Sequence, residues 1–98
     1  VMVIPISILY VPNAFTPNND GLNDIFKVLG TEGVTKFNMR IFNRYGETVF
    51  ETNDKGKGWD GMVKGKAAQP GGYVYVVKYS ASSHTDPPVI QGTFILIR

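Results

Sequence analysis

Cysteine is absent from the 98 residues. Its absence excludes a disulfide framework, a thiolate metal site and a cysteine nucleophile. Histidine occurs once, and a single histidine cannot build a zinc site without thiolate help. Neither charge dominates: the formal net charge is +2, too small to imply nucleic acid or an acidic membrane as partner. No apolar run approaches the roughly 18 residues of a membrane helix, so no direct membrane insertion is expected. Residues 1–11 are apolar, but Pro5 and Pro12 interrupt them and no basic region precedes them. They make a poor signal peptide and a better first strand near a sheet edge, and any export signal of that kind is expected outside this sequence. Internal repeats, low-complexity segments and a convincing helical period are also missing.

What is present reads as one all-β domain spanning residues 1–98. A chain of this size buries somewhat over roughly 60% of its unfolded surface, enough for one modest core. Aromatic and β-branched residues are frequent, and 11 glycines and 6 prolines punctuate them, which favours short strands joined by tight turns. The densest turn chemistry lies in residues 12–26, PNAFTPNNDGLNDIF. Pro12 and Pro17 fix φ there. Asn18, Asn19, Asp20, Gly21, Asn23 and Asp24 suit self-bonded turns, and Phe15 and Phe26 bracket them as apolar anchors.

A short second strand is expected over residues 24–29, with Ile25 alternating against Phe26 and Val28. The clearest alternation is residues 34–44: Phe37, Met39 and Ile41 on one face, Lys36, Asn38, Arg40 and Phe42 on the other. Asn43-Arg44-Tyr45-Gly46 turns that strand into a return strand at residues 47–51, placing Phe42 within reach of Val49 or Phe50, depending on register. Residues 52–72 are the least regular. The stretch either hides a short strand near Met62 and Val63 or is held by Trp59. Residues 73–80 form a central strand with Tyr73, Tyr75, Val77 and Tyr79 on one face. Residues 89–98 close the domain as a last strand. About seven short strands of this kind suggest an immunoglobulin-like antiparallel β-sandwich.

Chemistry has few footholds. His84 is flanked by Ser83, Thr85 and Asp86, but a Ser–His–Asp triad needs residues that converge on an oxyanion site, not sequence neighbours. A solvated loop is the better reading. Asn18, Asp20, Asn23 and Asp24 offer the hard oxygens that calcium prefers. Leu22, however, occupies a position that an EF-hand-like loop needs for a ligand, so an Asx-turn network is favoured over a cation. Asp20 and Asp24 as a glycosidase pair find no supporting acids. Lys55, Lys57, Lys64 and Lys66 suit a phosphate or acidic surface, or, more simply, a solvated loop. Trp59 and the tyrosines at 73, 75 and 79 are stacking platforms for sugars or bases in one reading and core in the other; the core reading is favoured.

Five motifs in order carry a resemblance. Phe15-Thr16-Pro17-Asn18 with Asp20-Gly21 and Asn23-Asp24, Ile41-Phe42-Asn43-Arg44-Tyr45-Gly46-Glu47 with Val49-Phe50, Trp59-Asp60-Gly61, Pro70-Gly71-Gly72-Tyr73-Val74-Tyr75, and Gly92 followed by Leu96-Ile97-Arg98 together resemble the gliding motility-associated C-terminal domain. This is the type B sorting domain of the type IX secretion system of Bacteroidetes. The family usually has Trp at the place of Tyr45, and Asp at that of Gly71. The likeness covers residues 12–98 and leaves residues 1–11 as the junction with preceding domains.

The resemblance implies a non-catalytic export signal in folded form. It would direct a larger cargo protein through periplasm and outer membrane to the cell surface or medium, with the type IX machinery and an outer-membrane barrel as partners. A monomer without cofactor is expected. Candidate contact residues are Asn18, Asp20, Asn23, Asp24, Arg44, Glu47 and Arg98. The competing function is an adhesive or carbohydrate-binding sandwich of a surface protein, which exposed, aligned aromatics would favour.

Overall fold

The computed structural model describes residues 9–17, 24–31, 33–81 and 89–98, and its strands are β1 (Ala14–Phe15), β2 (Val34–Phe42), β3 (Thr48–Thr52), β4 (Met62–Val63), β5 (Lys66–Ala67), β6 (Gly71–Ala81) and β7 (Val89–Leu96). The all-β expectation holds. Five strands form one sheet in the order β1-β7-β6-β2-β3, and β4 and β5 form a two-stranded ribbon. The pairings of β2 with β3, β2 with β6, and β6 with β7 are antiparallel. The short β1 runs parallel to β7, with Phe15 opposite Leu96, so the sheet is mixed.

Alternation decides the faces. Met39, Ile41 and Val77 are fully buried, and Phe37 and Tyr73 nearly so. Register brings Phe37, Met39 and Ile41 beside Tyr79, Val77 and Tyr75, then Tyr73 and Val77 beside Phe94 and Ile90. All of these face the core. Lys36, Arg40, Lys78, Gln91 and Thr93 face outward. Val34 is also buried, three residues before Phe37. A register shift between Val34 and Lys36 explains that spacing: one extra residue in a strand turns its neighbours by one face. A second shift pairs Phe42 with Thr48, not with Val49 or Phe50.

Opposite the core face lie segments that the sheet does not include. Residues 24–29, expected as a strand, contribute single bridges: Phe26 to Trp59 and Leu29 to Tyr10. Their alternation is as expected, with Ile25 exposed and Phe26 and Val28 buried. With the β4–β5 ribbon these pieces supply the covering layer, an arrangement compatible with a sandwich whose second sheet is fragmentary. Phe26 stacks on Phe94 with centroids 3.8 Å apart, which ties the covering layer to β7.

Candidate functional site

Trp59 belongs to the core. Its side chain is fully buried, with ring centroids 5.7 Å from Phe15 and 5.1 Å from Tyr73. The indole N–H donates to the Met62 carbonyl at 3.0 Å, so burying the ring leaves no polar atom unpaired. Its backbone exchanges two hydrogen bonds with Phe26 at 2.8 and 2.9 Å. Asp60 Oδ1 accepts the Met62 N–H at 3.0 Å, an Asx turn that steers the chain into β4. Gly61 has φ +80, and a Cβ there would lie 3.0 Å from Pro17 Cγ and 3.3 Å from Arg98 Nη2. The three-residue motif thus consists of a core ring, a turn acceptor and a position that only glycine fits.

Arg98 reaches back to the same place. Its Nη2 donates to the Gly61 carbonyl at 2.8 Å and its Nε to the Ala68 carbonyl at 3.0 Å. The guanidinium thereby ties the residues just past β7 to both ends of the β4–β5 ribbon, Gly61 before it and Ala68 after it.

The turn over residues 43–47 is built around one amide side chain. Asn43 Oδ1 accepts the N–H groups of Tyr45 and Glu47 at 2.9 and 3.0 Å, and its Nδ2 donates to Glu47 Oε1 at 2.8 Å. The Gly46 N–H bonds the Asn43 carbonyl, and the Asn43 N–H bonds the Glu47 carbonyl. Gly46 has φ +81, which closes a three-residue hairpin loop with a glycine bulge. Arg44 and Tyr45 stand at its tip, the guanidinium carbon 5.8 Å from the Tyr45 ring centroid. Tyr45 is 77% exposed.

Beside this turn lies a cleft of about 320 Å³. The turn forms one wall; Lys66 of β5 with Gln69 forms the other; Val49 and Tyr73 lie between them. The Tyr73 hydroxyl donates to the Gln69 carbonyl at 2.7 Å and fixes that second wall. Sequence reading singled out Arg44 and Glu47 but not their meeting with Lys66 and Gln69, some twenty residues on. No local pattern announces it, because it depends on how the ribbon folds back.

The four lysines do not act as one group. Lys55 and Lys57 border a different, open hollow with Val34 and Thr52, and Lys55 Nζ donates to the Val34 carbonyl at 2.8 Å. Lys64, at φ 52, sits in the ribbon's turn. Tyr75 and Tyr79 pack half-buried against the core beside Tyr73, as the core reading expects. Asn18, Asp20, Asn23, Ser83, His84, Thr85 and Asp86 lie outside the described residues, so the cation and triad readings rest on sequence alone. Asp24 is half-buried next to that segment.

The Glu51 carboxyl is held by two donors on the sheet surface. The Asn38 amide donates to its Oε2 at 3.0 Å, and Arg40 Nε lies 3.1 Å from the same oxygen. Hydrogen bonding from Asn38 first, then from Arg40, holds the carboxyl below the ordinary carboxylate range. The group is on the outer sheet face, away from the cleft, and reads as surface structure.

Comparison with curated proteins and with solved structures gives no match. A family match extends over residues 9–96, nearly the whole domain and all of its strands. Its description is that of a signal for protein export. The chain belongs to the family of CHU_C type IX secretion signal domains, C-terminal sorting signals that direct larger proteins to the cell surface or medium.

Proposed function

We propose that the domain hands its cargo to the type IX machinery by way of an outer-membrane barrel partner, as a monomeric, non-catalytic recognition module without cofactor. The observation that supports this is the family match over residues 9–96 on a five-stranded sheet joined by tight turns. Recognition by loops on a fixed scaffold is the usual division of labour. Residues 12–98 would carry the signal and residues 1–11 the junction to the cargo. Three regions are the candidates for contact: the 18–24 segment with Asn18, Asp20, Asn23 and Asp24; the 43–47 turn with Arg44 and Glu47; and the terminal strand, whose end Arg98 anchors. Calcium at the 18–24 segment would be a secondary feature, and a calcium titration against a chelator control, followed by thermal unfolding, decides it.

Secretion is the direct test. Residues 1–98 are fused to the C-terminus of a neutral reporter that has its own inner-membrane export signal. The fusion is expressed in a host with the type IX machinery, with and without the barrel partner. Reporter on the surface or in the medium only when both are present is the expected result. A folded fusion retained in the periplasm under all conditions refutes the proposal.

A further inference from the structure

We propose that the cleft between the 43–47 turn and the β4–β5 ribbon is a carboxylate site that takes an acidic peptide segment of the export machinery. This rests on the sorting role and gives it a surface and a chemistry.

The cleft holds two cations without acceptors among the described residues. Among the described residues the one ion pair joins Arg40 to Glu51, and no hydrogen bond uses the Arg44 guanidinium or the Lys66 ammonium. Arg44 lies instead against the Tyr45 ring. Its Nη2 is 3.9 Å from where a Cβ on Gly71 would stand, ordinary contact distance, which places the guanidinium beside the start of β6. An arginine stacked on an aromatic is oriented before its ligand arrives, and its planar fork matches a carboxylate in two parallel hydrogen bonds. Lys66 adds a second positive charge from the opposite wall. The cleft's own acid, Glu47, is held by the Asn43 amide at 2.8 Å and leaves the balance positive.

The walls are already ordered. Asn43 fixes the turn through three side-chain hydrogen bonds, and Tyr73 fixes residue 69. A ligand therefore orders little on binding, which favours affinity from few contacts. Val49 and Val63 also line the cleft and suit an apolar residue next to the acidic one. A peptide fits better than an anionic glycan because the family's role is to engage a protein machinery.

The test is a titration of the ¹⁵N-labelled 98-residue domain with hexaglutamate, hexaglutamine and oligogalacturonate, read as amide shifts. Saturable shifts with hexaglutamate at residues 44–47, 66–69 and 71–72 are expected. The double variant R44Q/K66Q should weaken them roughly tenfold or more, the scale of lost charge-assisted hydrogen bonds. The control variant K57Q/K78Q removes the same charge elsewhere and should bind as wild type. In the secretion assay R44Q/K66Q should lower export while K57Q/K78Q does not, both remaining folded.

An absent or equal response to hexaglutamine and hexaglutamate, or shifts confined to other surfaces, overturns the carboxylate site. Preference for oligogalacturonate makes it a glycan site and overturns the peptide. Unimpaired export of R44Q/K66Q overturns its role in recognition. Failure of the sorting role itself reads differently: the wild-type fusion is then retained too, while the titration still decides whether the cleft binds an acid.

Discussion

Trp59 joins three parts of the fold through one side chain: the β1 end at Phe15, the central sheet at Tyr73 and Phe94, and the ribbon through its bond to Met62. Its replacement by alanine opens a cavity in the middle of that contact and unpairs the Met62 carbonyl. A Trp59→Ala variant is expected to lose about 3–5 kcal/mol, measured by urea unfolding. That is a large share of the roughly 5–15 kcal/mol available to a small domain. Glu51 makes a smaller, pH-dependent contribution. Its folded-state pKa is depressed, so its stabilisation is present above the unfolded-state value and is lost as pH falls through the folded-state value. Exposure on the sheet surface keeps that contribution small. NMR titration of the Glu51 carboxyl should give a midpoint below that of ordinary glutamates, and Asn38→Ala should move it upward. A midpoint unmoved by that substitution would show that the amide is not the cause.

At the scale of elements, the turns show how far local sequence reaches. The 43–47 turn was legible in Asn43 and Gly46 because both residue types serve that geometry without help from the rest of the chain. The β4–β5 ribbon was half legible. Met62 and Val63 suggested a strand, but Lys64-Gly65 as its two-residue turn did not stand out, since lysine rarely takes φ 52. Both turn residues have positive φ, the requirement of the hairpin turn that matches strand twist. Lys64→Asn is expected to raise thermal stability by up to about 1 kcal/mol, and Lys64→Val to lower it by about as much. Equal melting of the two variants would count against strain at this position. Residues 24–29 carried the right alternation but the wrong element. Phe26 and Leu29 find different partners, Trp59 and Tyr10, and no single neighbour runs alongside to make a ladder.

For the whole molecule, export and stability are separable. A signal read as a folded surface is lost either when the fold fails or when its contacts fail. Trp59→Ala should reduce secretion of the reporter fusion in proportion to the unfolded fraction at the assay temperature, and lowering that temperature should restore it. R44Q/K66Q should reduce secretion at every temperature while its unfolding curve stays that of wild type. Secretion of fully unfolded Trp59→Ala at wild-type level would show that the machinery reads a linear segment and not the domain.

Local sequence sufficed for the all-β class, the faces of β2 and β6, the main hairpin and the family. Each of these depends on neighbours in the chain: period-two alternation, turn residues at fixed offsets, motifs in order. Tertiary structure alone decided the strand order β1-β7-β6-β2-β3, the parallel pairing of β1, and the bulge that turns Val34 inward. It also decided that Arg98 closes on Gly61, and that Arg44 faces a cleft shared with Lys66. These are contacts between segments far apart in sequence. Long-range packing selects their partners, and the residue types involved are compatible with many alternatives.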